Sequence, residues 1–178
     1  MAQTRSKRES PPATLEVVAV EELVTRLERT VQQLLDEIER LPAEVLYRAP
    51  EPGEWPVMST LAHLAELMPF WARAGAEIAA SPGQHVGRAL DDPRRVGPIE
   101  QHAQDSLDAM VPRVRAALAE CVTIMRAIPP DGWQARGSHP RHPSISAYEL
   151  IETYVCNHAA EHAKQIRATL QTLETARS

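Results

Sequence analysis

Aromatic residues are scarce in this chain, with three Trp, three Tyr and one Phe among 178 residues. Its core must therefore come mainly from Leu, Val, Ile and Ala. Cysteine is nearly absent. Cys121 and Cys156 stand singly, far apart and outside any C-x-x-C spacing, which excludes a thiolate metal site and a redox dithiol. They read as free thiols buried as small hydrophobes, with a mutual disulfide as the alternative. No run of 18 or more apolar residues occurs, and no secretory leader pattern, so the expectation is a cytoplasmic protein without membrane contact. An excess of basic charge is missing too. Nineteen Lys and Arg against 24 Asp and Glu leave a net charge of −5, which argues against binding nucleic acid by wholesale phosphate neutralisation. With 43% hydrophobic and 24% charged residues, the chain has the composition of one globular domain.

The N-terminal stretch MAQTRSKRESPPA is polar and ends in Pro-Pro, which predicts a disordered arm over 1–13 before a single domain over 14–178. From Thr14 to Leu41 apolar residues recur at three-and-four spacing (Val20, Leu23, Val24, Leu27, Val31, Leu34, Leu35, Ile38), so an amphipathic helix is expected. A second helix fits Val57 to Ala80, bent at Pro69, and a third Ile99 to Ile128, bent at Pro112. Ser146 with Glu149 forms a capping box that opens a final helix to about Leu173. No strand pattern is seen. The fold class is all-α, a four-helix bundle. Its connections of about 16 residues are far longer than antiparallel neighbours need, and long enough to cross the bundle.

The chemistry lies in the histidines. His158 and His162 are four apart on the last helix, so both imidazoles leave the same face, among Ile151, Tyr154, Val155 and Ile166. His63 occupies the apolar stripe of the second helix beside Thr60, Leu64, Leu67 and Trp71. Each inward histidine carries polar nitrogens that burial must satisfy, and one divalent ion satisfies all three at once. Glu66, three residues after His63, and Gln165, three after His162, are placed to accept the histidines' other N–H groups. The string His158 to His162 also reads H-x-x-E-H, a zinc-peptidase pattern, but only 16 residues follow it to supply a further ligand. Glu161 is read instead as a residue orienting a histidine or as a solvated one. Tyr154 reads first as packing, with lining the pocket as the alternative, and His139 and His142 first as solvated loop histidines, with a place at the pocket mouth as the alternative.

Three segments together resemble the DinB/YfiT-like family of four-helix-bundle metalloproteins. They are Gly53-Glu54-Trp55-Pro56-Val57 leading to Leu61-Ala62-His63-Leu64-Ala65-Glu66; the loop His142-Pro143-Ser144-Ile145-Ser146; and the helix His158-Ala159-Ala160-Glu161-His162-Ala163-Lys164-Gln165-Ile166. Pro56 stands where the family's capping Ser is usual, and a Pro at a first helical position needs no N–H partner. The resemblance spans about residues 18 to 173. It implies one divalent ion on His63, His158 and His162, commonly nickel or zinc, with manganese or iron also compatible.

The expected function is therefore that of a metal-dependent enzyme, thiol S-transferase-like or hydrolase-like. Its substrate would be a small molecule, such as a low-molecular-weight thiol. A non-enzymatic metal-binding protein of structural or stress-response role is the alternative. A structural zinc site normally closes with four protein ligands, and three favour an open position. Family members often pair, and Val17, Val18, Val20 and Ile124 supply apolar surface beyond one core face, so a homodimer is expected.

Overall fold

A computed structural model describes residues 15–176. The expected arm over 1–13 lies outside them. Helix α1 runs Leu15–Ile38, and its predicted stripe is the buried one: Leu23, Val24, Leu27, Val31, Leu34, Leu35 and Ile38 are all shut from solvent. Full burial of one such side chain contributes roughly 1.5–3 kcal/mol, so this stripe alone fixes which face turns inward. A short helix α2, Ala43–Leu46, interrupts the Pro-rich segment that follows and buries Leu46. Helix α3, Val57–Ala80, begins behind Pro56 and continues through Pro69.

The single third helix expected over 99–128 is in fact two, α4 (Pro93–His102) and α5 (Leu107–Ala127). Hydrogen bonds at the helix ends and one from a distant residue explain the break. Asp92 caps α4 by accepting from the Arg94 N–H at 2.8 Å, and Ser106 caps α5 by accepting from the Ala109 N–H at 3.3 Å. Between them the Tyr47 hydroxyl donates to the Asp105 carbonyl at 2.7 Å and so takes it out of any helical ladder.

The all-helical expectation missed a hairpin. Strands β1 (Arg136–His139) and β2 (His142–Ser146) pair antiparallel, with an irregularity between Gly137 and His139. Segment 83–86 joins the edge of β1 through Val86 N–H to Ser138 C=O and Ser138 N–H to Gln84 C=O, both 2.8 Å. At Gly137 an added Cβ would lie 2.5 Å from the Gln84 carbonyl, so only glycine permits this approach. The hairpin runs into α6 (Ala147–Ile151), opened by the predicted Ser146–Glu149 capping box. A π-helical stretch, Glu152–Asn157, continues into α7 (His158–Thr175) with helical backbone at both junctions.

Four rods make the bundle: α1, α3, α5 and the α6–α7 rod. Helix α1 packs on α5 and α7, whereas α3 packs on α5, α6 and α7. Successive rods α1 and α3 are thus diagonal, as are α5 and α6–α7, and the first and last long connections cross the bundle end. That is the use of their length. Cys121 and Cys156 are buried and free, and burial pushes the thiols up to about 12 and about 11, so neither is a thiolate.

The apolar residues adduced for a dimer behave differently from one another. Val20 is in the core and Ile124 packs against it, while Val18 is 46% exposed. Val17's side chain lies outside the described set.

Helices α3 and α6 approach closely at Gly75, where an added Cβ would sit 2.5 Å from Ile151 Cδ1 and 2.6 Å from its Cγ1. Gly75→Ala is expected to destabilise the chain by about 1–3 kcal/mol through overpacking, despite alanine's better helix propensity. A denaturant midpoint at or above wild type would contradict this packing.

Candidate functional site

The three histidines predicted from spacing converge between α3 and α7. Ring centroids are 5.0 Å apart for His63–His162, 5.8 Å for His63–His158 and 4.7 Å for His158–His162. One nitrogen from each lies within 4.8 Å of the others, a group that could hold a metal ion. His63 is 3% exposed, and its ring meets Trp55 edge-on at 5.4 Å.

Two nitrogens in this cluster, His63 Nδ1 and His162 Nε2, are buried without any hydrogen-bond partner. Such orphans cost roughly 1–3 kcal/mol each and are rare. The other nitrogen of His162 is satisfied, because Nδ1–H donates to Gln165 Oε1 at 2.8 Å. That bond fixes the tautomer and leaves the Nε2 lone pair facing the cluster. Glu66 Oε2 stands 3.7 Å from His63 Nδ1, too far for a hydrogen bond in this arrangement. Glu161 is exposed, and it is Gln165, not Glu161, that holds the His162 Nδ1–H.

Sequence reasoning missed what holds Glu66. Arg88 grips it with both arms, Nη1 to Oε1 at 2.5 Å and Nη2 to Oε2 at 2.6 Å, and its guanidinium lies 3.8 Å from the Phe70 ring centre. Burial pushes the Glu66 carboxyl up, but His63 and Arg88 outweigh it, so the group sits below its ordinary value and stays ionised. Arg88 comes from a loop with no helical pattern, so no spacing rule points to it.

A second set of residues forms the wall beside the cluster, and here the reading of His139 as solvated is corrected. His139 is 7% exposed, packed against Trp71 and Tyr154, which themselves stack at 4.6 Å. The Arg141 N–H donates to His139 Nδ1 at 3.1 Å, so that nitrogen is unprotonated and the ring is neutral. The Tyr154 hydroxyl donates to the same nitrogen at 3.2 Å, and His142 Nε2 donates to the phenol oxygen at 3.1 Å. Burial explains why His139 sits below its ordinary value and Tyr154 above its own. The β1–β2 turn, invisible to helical periodicity, carries both histidines inward. Gly87, at φ +126°, lets the neighbouring loop close on them: an added Cβ would lie 2.9 Å from His139 Cδ2.

Cluster and wall open on one cavity of about 300 Å³, lined among others by His63, His158, Trp71, His139 and Tyr154. This is at the small end of ligand pockets, roughly 300–1,000 Å³. Burial, then the charges of His162, His63, Arg95 and Arg141, push His158 down to about 4, and burial lowers His162 as well.

Both histidines are therefore neutral at pH values where the unfolded chain has protonated them. A His depressed in the folded state binds fewer protons than the unfolded chain between about 4 and 6.5, so stability falls as pH drops through that window. From pH 6.5 to 5 the metal-free chain should therefore lose urea resistance. His158→Gln should flatten the decline. A midpoint constant from pH 7 to 5 would contradict the depressed histidines.

Comparison with known proteins supports the same architecture. No curated protein matches the chain in sequence. Among solved structures, YfiT from Bacillus subtilis, described as a probable metal-dependent hydrolase with an unusual four-helix bundle topology, superposes with TM-score 0.71 at 13% identity, over 94% of each chain. A mycothiol-dependent maleylpyruvate isomerase superposes with TM-score 0.67 at 14% identity, over 83% of this chain. The chain spans only 60% of that isomerase's length. At such identities the likeness shows the fold alone, yet the crossed connections derived above are consistent with an unusual bundle topology. The sequence profile of the DinB superfamily matches residues 13–166, nearly the whole helical bundle, and the chain belongs to that superfamily.

Proposed function

We propose that this chain is a metal-dependent enzyme acting on a small molecule, with His63, His158 and His162 holding one divalent ion. The observation that carries the reading is the pair of buried, partnerless nitrogens, His63 Nδ1 and His162 Nε2, beside a third imidazole whose depressed basicity keeps it unprotonated. A donor set of three neutral imidazoles suits nickel or zinc. When bound, such an ion supplies Lewis acidity and lowers the pKa of a water or thiol in its open position.

The chain's own residues supply the rest. Gln165 orients His162, and the ionised Glu66, fixed by Arg88, places a negative charge 3.7 Å from His63 Nδ1. Trp71 and Tyr154 form a flat, mostly buried wall that keeps bulk water from one side of the cavity. The Tyr154 hydroxyl, between His139 and His142, can pass a proton between a bound substrate and the pocket mouth. Support for a thiol or hydrolytic substrate comes from the neighbours' described activities.

The test is elemental analysis of protein from its native host, followed by assays of nickel- and zinc-loaded protein with low-molecular-weight thiols plus an electrophile, and with activated esters. Turnover that disappears on chelation supports the proposal. No turnover with any of these, together with a sharp fall in melting temperature on metal removal, would make the ion a purely structural tie.

A further inference from the structure

The mouth of the cavity has a charge opposite to that of the molecule. The chain carries a net charge of −5, yet no Asp or Glu lines this cavity, while Arg88, Arg95 and Arg141 do. Arg88 is neutralised by its two-armed pairing with Glu66. Arg95 donates to the Leu90 carbonyl at 2.8 Å and lies 5.7 Å from the Trp55 ring centre, contacts that position the guanidinium without cancelling its charge. Arg141 is exposed at the hairpin turn, and its backbone N–H, not its side chain, is what His139 engages.

Among the described residues no acid pairs with the Arg95 or Arg141 side chain, and the cavity they line has an apolar part, Trp71, Leu90 and Pro140, beside its histidines and Tyr154. Leu90, 69% exposed, adds apolar surface to the same rim. A guanidinium fork matches a carboxylate in shape and charge.

We infer that Arg95 and Arg141 form an anion-recognising mouth, and that the cavity takes a small organic anion whose carboxylate pairs with them while its apolar body lies against Trp71 and Leu90. The inference rests on reading this cavity as the substrate site, and it names the substrate's class. The carboxylate end sits at the mouth, so the reacting end is the one turned toward the histidines.

The test uses the full chain, stripped of metal and separately loaded with zinc. Succinate and benzoate are titrated against their neutral amides at low ionic strength, following tryptophan fluorescence and heat of binding. Both carboxylates should bind the metal-free protein, and the amides at least about tenfold more weakly. Arg95→Gln and Arg141→Gln should each weaken the carboxylates about tenfold, Arg95→Lys by much less, and zinc content should be the same in all variants. Equal binding of acids and amides, or wild-type binding by the double Gln variant, would overturn the inference. So would inorganic phosphate competing as well as the carboxylates, since the apolar walls would then contribute nothing. Carboxylate binding that persists in a protein unable to take up zinc would retain the mouth and sink the metal reading instead, so the two failures are separable.

Discussion

His63→Ala, His158→Ala and His162→Ala are each expected to abolish stoichiometric binding of a divalent ion at micromolar concentrations. Removing an outer partner of a metal ligand typically costs roughly 10–100-fold in affinity, so removing a ligand outright must cost more. Gln165→Leu provides the inner comparison. It spares the His162 ring but frees its tautomer, and affinity should fall within that roughly 10–100-fold range while the site still fills at high metal concentration. The metal-free proteins should behave in the opposite sense. His63→Leu deletes a buried nitrogen that has no partner and substitutes an apolar side chain of similar volume, so without metal it should melt at or above wild type. A histidine retained for packing would show the reverse, a lower melting temperature and no change in metal content. Stoichiometric metal in any of the three alanine variants at wild-type affinity would remove that residue from the proposed set.

The part of this arrangement that periodicity could reach was the part carried by helices. His158 and His162 share a face because a helix repeats every 3.6 residues, and His63 falls on the stripe that packs toward them. The bundle was legible for the same reason: Val24, Leu27, Val31 and Leu34 recur at helical spacing and are all buried. The divided third helix was not, because what divides it is a tertiary bond, from Tyr47 to the Asp105 carbonyl, between residues 58 apart in sequence. The hairpin was missed because strands of four and five residues containing Gly137 and Pro143 give no run of alternation to detect. That omission had a consequence for function. Placed in a loop, His139 and His142 read as solvated, whereas the hairpin turns them onto Tyr154. The π-helical stretch that carries Tyr154 into this contact also has no sequence signature, yet such stretches recur at functional sites. Arg88, Arg95 and Arg141 come from three separate segments between the main rods, and only the fold shows that they share a cavity.

Replacing Glu66 by Ala is expected to cost about 3–5 kcal/mol of stability, far more than any other ion pair in the described structure would. The reason is where the charge is left. The side chains of Arg88 and Glu66 are 3% and 9% exposed, so Glu66→Ala leaves a nearly buried guanidinium that cannot lose its proton and has lost its carboxylate partner. By contrast Arg126 and Glu21, also joined by two contacts, at 3.0 and 3.1 Å, are about half exposed, and Glu21→Ala should cost less than about 1 kcal/mol. Arg88→Met should be milder than Glu66→Ala, because a carboxyl left alone can protonate. Joining the two as Glu66→Leu with Arg88→Met should recover most of the loss, since a buried pair replaced by apolar side chains of similar volume is often neutral. If stability recovers in that double variant while metal affinity stays reduced, Glu66 acts on His63 and not merely on the fold. Urea midpoints give the first quantity and zinc titration the second. A Glu66→Ala midpoint within about 1 kcal/mol of wild type would show that Arg88 finds solvent and that its pairing with Glu66 does not anchor the loop between α3 and α4.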